Sequence, residues 1–500
     1  MDFVSRANSV RLSGLPIIGS LLDLPEKHSW LKFHEYIQQH GPIVQLNIMG
    51  QSHILLGNER VWDDLARARG AIYNSRPQSP AASILTQDLH ILLMPQGRVL
   101  RERRGILSQL LSRSAASQYE PYQWLETYRM VRDIVDDPSE YNEIFDHWST
   151  AMGSRMLYGR AMPKRGGFQA EVMAITRTAE QTVQPGAYLV DTMPWMRRLP
   201  EAVAPWKRYL KSMSRRDEAF YYKMWKCTRE DLDSGRDVPS WARLCMEDLN
   251  NEKSKVSMTE REAVHLIGAT YTAFGTTSGN LKSFIFAITR HPEWWPRLTD
   301  EMDAAVGDKR LPRLDDLPNL PILRAVVCEI ARVWPVTPGG VPHLLTKDDV
   351  YQGYHLPAGS VVHLVAWACG REPALYPDPD MFKPERWLRP GFPTYREPLT
   401  EYPTLNNMPV FGAGRRQCPG MLVGTRNVCI QAMMLVWACE ISRARDAAGE
   451  EIVPPAYDFV AGFNVFPRSF KFDLRPRSLE RMAMVEAEYE AALAADPMRD

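Results

Sequence analysis

One ten-residue stretch, Phe411–Gly420 with the sequence FGAGRRQCPG, constrains the fold of this chain most. Its three glycines allow backbone turns that other residues avoid, and they let the backbone approach a flat ligand closely. Arg415 and Arg416 raise the local positive potential, which favours the thiolate form of Cys418. A predicted helix beginning near Pro419 directs its N–H groups and positive dipole end toward the same sulfur. The loop therefore predicts a metal-ligating thiolate, with a buried structural cysteine as the alternative.

Length and composition indicate a large globular chain. Its 500 residues are 45% hydrophobic, which is enough for a sizeable core. Lys+Arg and Asp+Glu balance at 60 each, so net charge indicates neither a nucleic-acid partner nor an acidic one. Because no repeat or low-complexity linker divides the chain, we predict a single domain over residues 1–500, with an N-terminal lead-in segment of about residues 1–25.

The seven cysteines argue for a reducing compartment. Their number is odd and no CxxC pair occurs, which is unlike a disulfide scaffold or a zinc site. The sequence has no run of eighteen apolar residues, so it predicts no transmembrane helix. The first residues do not resemble a signal peptide.

A long helix is predicted in the middle of the chain. It begins at a capping box made by Thr259 and Glu262 and continues to Arg290, about 48 Å at 1.5 Å per residue. Three glycines lie in its centre, and each weakens a helix by roughly 0.5–1 kcal/mol relative to alanine: Gly268, Gly275 and Gly279. Such a centre admits either a large flat ligand or a tightly packed neighbouring helix.

A carboxylate and a guanidinium, Glu329 and Arg332, share one face of another predicted helix. Apolar neighbours predict that the pair is at least partly buried, so that losing one partner costs several kcal/mol.

These motifs resemble those of the cytochrome P450 family over roughly residues 15–475. The pattern Phe-x-x-Gly-x-Arg-x-Cys-x-Gly at Phe411–Gly420 is similar to the family's haem-binding loop. The resemblance implies the cytochrome P450 fold, mainly α with a smaller β region. It also implies haem b, with the Cys418 thiolate as axial iron ligand and with Phe411, Gly412 and Gly420 as further parts of the haem loop.

The resemblance implies three contacts to the haem propionates. Arg416 lies two residues before the thiolate, and His343 falls where the family places a basic residue. Arg103 takes the arginine position of the family's Trp-x-x-x-Arg pattern, with Val99 in place of the tryptophan.

The stretch Thr272–Thr277 is similar to the family's oxygen-activation motif. Thr276 matches the threonine that helps deliver protons to dioxygen. Gly275 matches the position of the usual acid, beside the cofactor, and has no carboxylate to relay protons. This departure keeps oxidative coupling, cyclisation or rearrangement without oxygen insertion open as alternative reactions.

Two further sets of residues follow from the resemblance. Glu329 and Arg332 match the family's Glu-x-x-Arg, and Arg386 in the Pro-Glu-Arg-Trp stretch supplies the third member of a structural network. Substrate contact is expected from Phe274, Phe463 and Asn464; the latter two lie in a hairpin predicted over residues 459–466.

The resemblance implies a haem-thiolate monooxygenase that acts on a hydrophobic small molecule. The chain resembles the fungal members of the family that act in secondary metabolism. No flavin or nicotinamide fingerprint is present, so the resemblance implies O2 and a separate NADPH–cytochrome P450 reductase. A non-catalytic haem sensor is the alternative from another functional class. We expect a monomer inside the cell, at the endoplasmic reticulum membrane surface if a native anchor is missing from this sequence and cytoplasmic otherwise. Peripheral membrane contact is left open.

Overall fold

The structure is a computed structural model that describes residues 18–162, 165–184, 186–251, 257–406 and 408–498. Most of the predicted lead-in segment, residues 1–25, lies outside the described residues. As predicted, the described chain is mainly helical. Its helices are α1 Ser29–His40, α2 Glu59–Trp62, α3 Gly70–Tyr73, α4 Pro80–Thr86, α5 Arg98–Leu110, α6 Arg113–Asp136, α7 Tyr141–Tyr158, α8 Gly167–Val183, α9 Leu189–Thr192, α10 Pro205–Asp233, α11 Trp241–Asn250, α12 Glu260–Thr270, α13 Gly275–Arg290, α14 Trp294–Ala305, α15 Pro321–Val333, α16 Ala366–Cys369, α17 Met421–Ala438 and α18 Leu479–Ala494.

The β region is small and lies to one side of the helices. A four-stranded sheet has the order β1-β2-β6-β3, and two hairpins, β4-β5 and β7-β8, complete it. A hairpin joins β1 to β2, and Met49 and Gly50 have the positive φ values that its two-residue turn requires. The strands are β1 Ile43–Ile48, β2 Gln51–Leu56, β3 His343–Leu344, β4 Asp349–Tyr351, β5 Tyr354–Leu356, β6 Val361–Leu364, β7 Cys439–Ser442 and β8 Asp473–Pro476.

Helix α17 follows the cysteine loop and runs through the core, packed against α6, α13, α14 and α15. Among the described helices, only α17 is long and apolar enough by composition to cross a membrane, and 72% of it is buried inside the protein. Its apolar side chains are therefore used in the core, and they hold the cysteine loop against the centre of the molecule.

The predicted central helix is present at both ends but interrupted in the middle. The capping box of Thr259 and Glu262 forms as expected at the start of α12, and α13 ends at Arg290. Between the two helices, residues 271–273 form a 3-10 turn. The Thr270 hydroxyl donates to the Leu266 carbonyl at 2.7 Å, and the Thr272 hydroxyl in the turn donates to the Ala269 carbonyl of α12 at 2.8 Å. Such side-chain bonds to the preceding turn often bend helices.

Two of the three central glycines are explained by packing of protein against protein. A Cβ on Gly268 would lie 2.2 Å from Cγ of Tyr221 on α10, and one on Gly279 would lie 3.3 Å from Val336 Cγ1. A Cβ on Gly275 would lie 3.7 Å from Thr176 Cγ2 on α8. The glycines therefore admit neighbouring elements, and the interpretation that they admit a flat ligand is wrong for Gly268 and Gly279.

The hairpin predicted over residues 459–466 is reduced to one isolated bridge between Phe459 and Pro467. Val460 N–H donates to the Phe466 carbonyl at 3.0 Å, and Val465 N–H donates to the Val336 carbonyl at 2.7 Å. This segment therefore keeps a short hairpin pairing with itself and is also held by the chain that follows α15.

Candidate functional site

The loop before α17 presents one sulfur atom. Gly412 and Gly414 have left-handed φ values of +70° and +62°, and a Cβ on Gly414 would lie 2.1 Å from the Ala66 carbonyl oxygen. Cys418 N–H donates to the Phe411 carbonyl at 2.8 Å and closes the loop. The loop conformation thus depends on glycine, as its sequence predicts.

The Cys418 side chain is exposed to an internal cavity, while protein surrounds it on its other sides. Burial raises the pKa of the Cys418 thiol, whereas the Gly420 N–H and the Arg104 guanidinium act in the opposite direction. A Cβ on Gly420 would lie 3.8 Å from the sulfur, so this glycine keeps the approach to it clear. The cation that favours the thiolate is therefore Arg104 on α5 rather than an arginine of the loop itself.

The cavity has a volume of about 340 Å3. Its walls come from the segment around residues 90–93, from α5, α8, α12 and α13, from the chain after α15, and from the cysteine loop. Phe411, Gly412, Thr276 and Phe463 are among the predicted site residues that line it. Most of the remaining lining is apolar, which fits a site for hydrophobic molecules.

Three arginines line this cavity without a carboxylate partner among the described residues: Arg76, Arg104 and Arg416. Their guanidinium groups donate to backbone carbonyls instead, Arg104 to Gln417 and Arg416 to Asn74, each at 2.7 Å. Burial lowers the pKa of Arg416 to about 10 and lowers the pKa of Arg76 as well. Burying a cation without a counter-charge is costly in free energy, so these three arginines indicate an anionic ligand in the cavity.

His343 begins β3 and lines the same cavity. Its Nδ1 lies 2.7 Å from the Tyr73 carbonyl oxygen, which requires Nδ1–H to be the donor. Burial, with Arg76 and Arg416 nearby, lowers the pKa of His343 well below its usual value. The neutral ring therefore offers Nε2 as an acceptor, and His343 can donate to an anion from Nε2 only after protonation.

The prediction for Arg103 requires a correction, because this side chain does not line the cavity. Its Nη2 lies 3.1 Å from Glu262 Oε1 and donates to the Ser257 carbonyl at 3.2 Å, so Arg103 ties α5 to the start of α12. Adjacent helical residues point about 100° apart, and the next residue, Arg104, faces the cavity instead. Leu100 is buried four residues before Arg104, so an apolar residue at 100 is the sequence signal that supports this register.

Sequence reasoning also missed Arg76. It lies between α3 and α4, and it donates to the Val341 and Pro342 carbonyls at 2.9 and 2.7 Å. Its Nε also donates to the Leu92 carbonyl at 3.1 Å. No local pattern distinguishes this arginine from an exposed one, because the carbonyls of Val341 and Pro342 are about 265 residues away in the chain.

At the break of the central helix, Thr276 lines the cavity and donates its hydroxyl to the Ala273 carbonyl at 2.9 Å. Gly275 does not line the cavity, since it faces Thr176. Phe274 does not line it either and packs against Tyr271, with ring centroids 6.3 Å apart. Predicted roles for Gly275 beside the cofactor and for Phe274 against substrate are therefore not supported by their positions.

Phe463 and Asn464 both line the cavity, at the segment that pairs with the chain after α15. Asn464 is 6% exposed and donates from Nδ2 to Glu180 Oε1 on α8, while its Oδ1 accepts from Thr337 at 3.2 Å. Glu180 was missed from the sequence because a lone glutamate on a helix is ordinarily solvated.

A fully buried ionic network lies outside the cavity. Glu329 accepts from Arg332 at 2.7 Å and from Arg386 at 3.0 Å, and all three side chains are 0% exposed. Trp387 Nε1 and the Lys383 N–H complete the hydrogen bonds of the same carboxylate. The structure therefore brings the three predicted network residues together around one carboxylate.

A profile of the family described as Cytochrome P450 matches residues 11–447. The chain belongs to the cytochrome P450 family. A cytochrome P450 monooxygenase of Armillaria gallica is 32% identical over 95% of this chain and 91% of its own length. The monooxygenase fogE of Aspergillus ruber is 31% identical over 96% of this chain and 89% of its own length.

Solved P450 structures share the fold. A zebra fish cytochrome P450 with progesterone has a TM-score of 0.73 over 90% of this chain and 99% of its own, at 20% sequence identity. The zebra fish structure with abiraterone has a TM-score of 0.71 and covers 90% of this chain and all of its own. These similarities support the predicted P450 fold.

The residues present fit the haem that the P450 family implies. Haem carries two carboxylates on an apolar ring, and the cavity combines unpaired arginines with apolar walls and one accessible thiol. Arg76, Arg104 and Arg416 are the cations that would bind the carboxylates, and Cys418 is the only cysteine that lines the cavity among the described residues.

Proposed function

We propose that this P450 is a haem-thiolate monooxygenase that oxidises a hydrophobic small molecule, with a secondary metabolite as the substrate class. The carrying observation is that Cys418 faces one largely apolar cavity together with three arginines that have no carboxylate partner in the part of the chain that the structure describes. The relatives that are named as cytochrome P450 monooxygenases, both from fungi, support the same reaction. The substrate class follows from the sequence resemblance.

When bound through Cys418, haem supplies the activation of O2. Arg104 has two roles in this arrangement, since it stabilises the Cys418 thiolate and can bind a haem carboxylate. Thr276 holds a hydroxyl proton in the cavity and donates it to the Ala273 carbonyl until another acceptor is present. The apolar walls exclude water and position an apolar substrate.

The proposal is tested by the carbon-monoxide difference spectrum of the reduced protein. Wild type is expected to show the strongly red-shifted Soret band of a thiolate-bound haem, and Cys418→Ala is expected to lose it. Cys429→Ala is the matched control, because Cys429 is buried on α17 and does not line this cavity. A histidine-like band in the wild type would contradict the proposal.

Oxidative coupling, cyclisation or rearrangement remains the second candidate, because the residue directly before Thr276 is Gly275, which has no carboxylate. Product analysis under isotope-labelled dioxygen distinguishes the two reactions, since a monooxygenase places labelled oxygen in the product. NADPH consumption coupled to product formation, sustained by an added reductase, separates both enzymes from a haem sensor.

A separate NADPH–cytochrome P450 reductase is the expected electron donor. Residues 1–500 are expected to act as one domain and as a monomer.

Peripheral contact with the endoplasmic reticulum membrane is supported by exposed apolar side chains around α9. Leu189, Trp195 and Val203 are 63%, 61% and 64% exposed. Co-sedimentation with phospholipid vesicles, weakened in Trp195→Ser, tests this contact.

A further inference from the structure

The substrate cavity contains one carboxylate. Glu180 lies near the end of α8 and is the only acidic residue that lines the cavity among the described residues. The other lining residues of α8, Ala179 and Val183, are apolar, and Asn464, which contacts Glu180, is uncharged. A carboxylate in such surroundings is costly unless a partner compensates its charge.

The protein supplies only part of that compensation. Asn464 Nδ2 donates to Oε1 of Glu180, and Thr337 orients the asparagine by donating to its Oδ1 at 3.2 Å. No hydrogen bond from a described residue reaches the second carboxylate oxygen, Oε2. Asn464 therefore positions Glu180 and leaves one acceptor of the carboxylate unused.

The charges nearest to Glu180 do not neutralise it. Lys282 on α13 donates to Asp146 on α7 at 2.7 Å, so these two charges balance each other. Arg177 is an exposed residue on α8 and forms no ion pair with Glu180 among the described residues. Burial raises the pKa of Glu180 to about 7, although Asn464, Arg177 and Lys282 oppose the shift.

We propose that Glu180 anchors the substrate and that the substrate is a largely apolar molecule carrying one basic nitrogen, whose ammonium group binds Glu180 Oε2. This inference rests on the proposed monooxygenase function and specifies its substrate class. It also assigns Asn464 a positioning role, because its amide is already used by Glu180 and Thr337.

A basic nitrogen fits better than a neutral hydroxyl. A hydroxyl group would donate one hydrogen bond but leave the charge of the carboxylate unbalanced, whereas an ammonium group supplies both the donor and the counter-charge. The three arginines of the cavity are already assigned to the haem carboxylates. Glu180 is thus the complementary charge for a cationic substrate group.

The experiment measures, by calorimetry, how tightly sets of three related ligands bind to the haem-loaded protein. Within a set the three ligands share one hydrocarbon ring system and differ in a single substituent, which is a dimethylaminomethyl, a trimethylammoniomethyl or the isosteric neopentyl group. Between sets the ring system varies from one to four rings. The quaternary cation cannot coordinate iron, so a preference that includes it reports the carboxylate. Both cations of at least one set are expected to bind about tenfold or more tightly than the hydrocarbon.

The variant Glu180→Gln is expected to lose that preference and keep the affinity for the hydrocarbon. Glu171→Gln is the matched control, since Glu171 lies on the same helix, is 37% exposed at its side chain and does not line the cavity. The proposal is overturned if no cation in any set binds better than its hydrocarbon, or if the preference survives in Glu180→Gln.

A pH comparison separates the carboxylate from general cavity effects. Because the pKa of Glu180 is raised to about 7, the preference for the quaternary cation should be larger above pH 7 than below it. A preference that does not change with pH argues against Glu180. The carbon-monoxide spectrum distinguishes the two failures: a red-shifted band without cation preference removes only this inference, whereas loss of that band removes the proposed function.

Discussion

Two adjacent arginines on α5 have different tasks. Arg104 lies in the cavity beside Cys418, whereas Arg103 forms an ion pair with Glu262 at the start of α12. We expect Arg104→Gln to weaken haem retention by about tenfold or more, because a charged hydrogen bond to a haem carboxylate is lost.

Arg103→Gln is the matched comparison for that prediction. We expect it to lower the free energy of unfolding by about 1–3 kcal/mol, because the charged hydrogen bond from buried Arg103 to the partly exposed Glu262 is lost, while folded protein keeps its haem. Haem content and urea unfolding of both variants measure the two effects. Equal haem loss in both variants would contradict the separation of roles.

Glu180 is expected to make stability depend on pH. Its pKa is about 7 in the folded protein and near 4.5 when unfolded, so the folded state binds more protons between these values. Stability should therefore fall as pH rises from 4.5 to 7, by on the order of 3 kcal/mol from this group. Glu180→Gln should remove that decline, and Glu171→Gln should retain it, in unfolding curves measured across this pH range.

At the scale of elements, two glycines inside helices are expected to respond in opposite ways to the same substitution. Gly268 on α12 faces the Tyr221 ring, where an added Cβ would lie 2.2 Å from Cγ, whereas Gly105 on α5 has no neighbour within 4 Å of that position. Gly268→Ala should therefore destabilise the protein by about 1–3 kcal/mol through overpacking. Gly105→Ala should stabilise it by about 0.5–1 kcal/mol, and thermal unfolding of the pair gives both signs. Stabilisation by Gly268→Ala would show that α10 and α12 can separate at no cost.

For the whole molecule, the buried network around Glu329 joins α15 to the chain over residues 370–387. Arg332 also donates to the Gly370 and Pro379 carbonyls, each at 2.6 Å. We expect Glu329→Gln to lower the free energy of unfolding by about 3–5 kcal/mol, since two buried arginines lose their counter-charge.

Glu385→Gln is the control for that substitution. Glu385 neighbours Arg386 in the chain, but it pairs with Arg297 at 2.8 Å in a partly exposed position. Its loss should cost less than about 1 kcal/mol. Comparable destabilisation by both variants, measured by urea unfolding, would contradict a special contribution of the buried network.

Local sequence was sufficient for the features that depend on neighbours in the chain. The glycines of the Cys418 loop, the capping box at Thr259 and the hairpin turn at Met49 and Gly50 each follow from backbone conformations that short patterns encode. The family was also recognisable from such patterns, because its thiolate loop is contiguous. Glu329, Arg332 and Arg386 were placed together through the family resemblance, since spacing alone relates only the first two.

Only the tertiary structure decided which side chains face the cavity. Arg104 faces the cavity in place of the predicted Arg103, because successive side chains of a helix point about 100° apart. Both residues are arginines, so residue type alone could not distinguish them. Phe274 and Gly275 turned away because the 3-10 turn over residues 271–273 resets the direction of the helix. Arg76 and Glu180 acquired their importance from burial against segments more than 250 residues away, and burial, unlike residue type, is a property of the assembled fold.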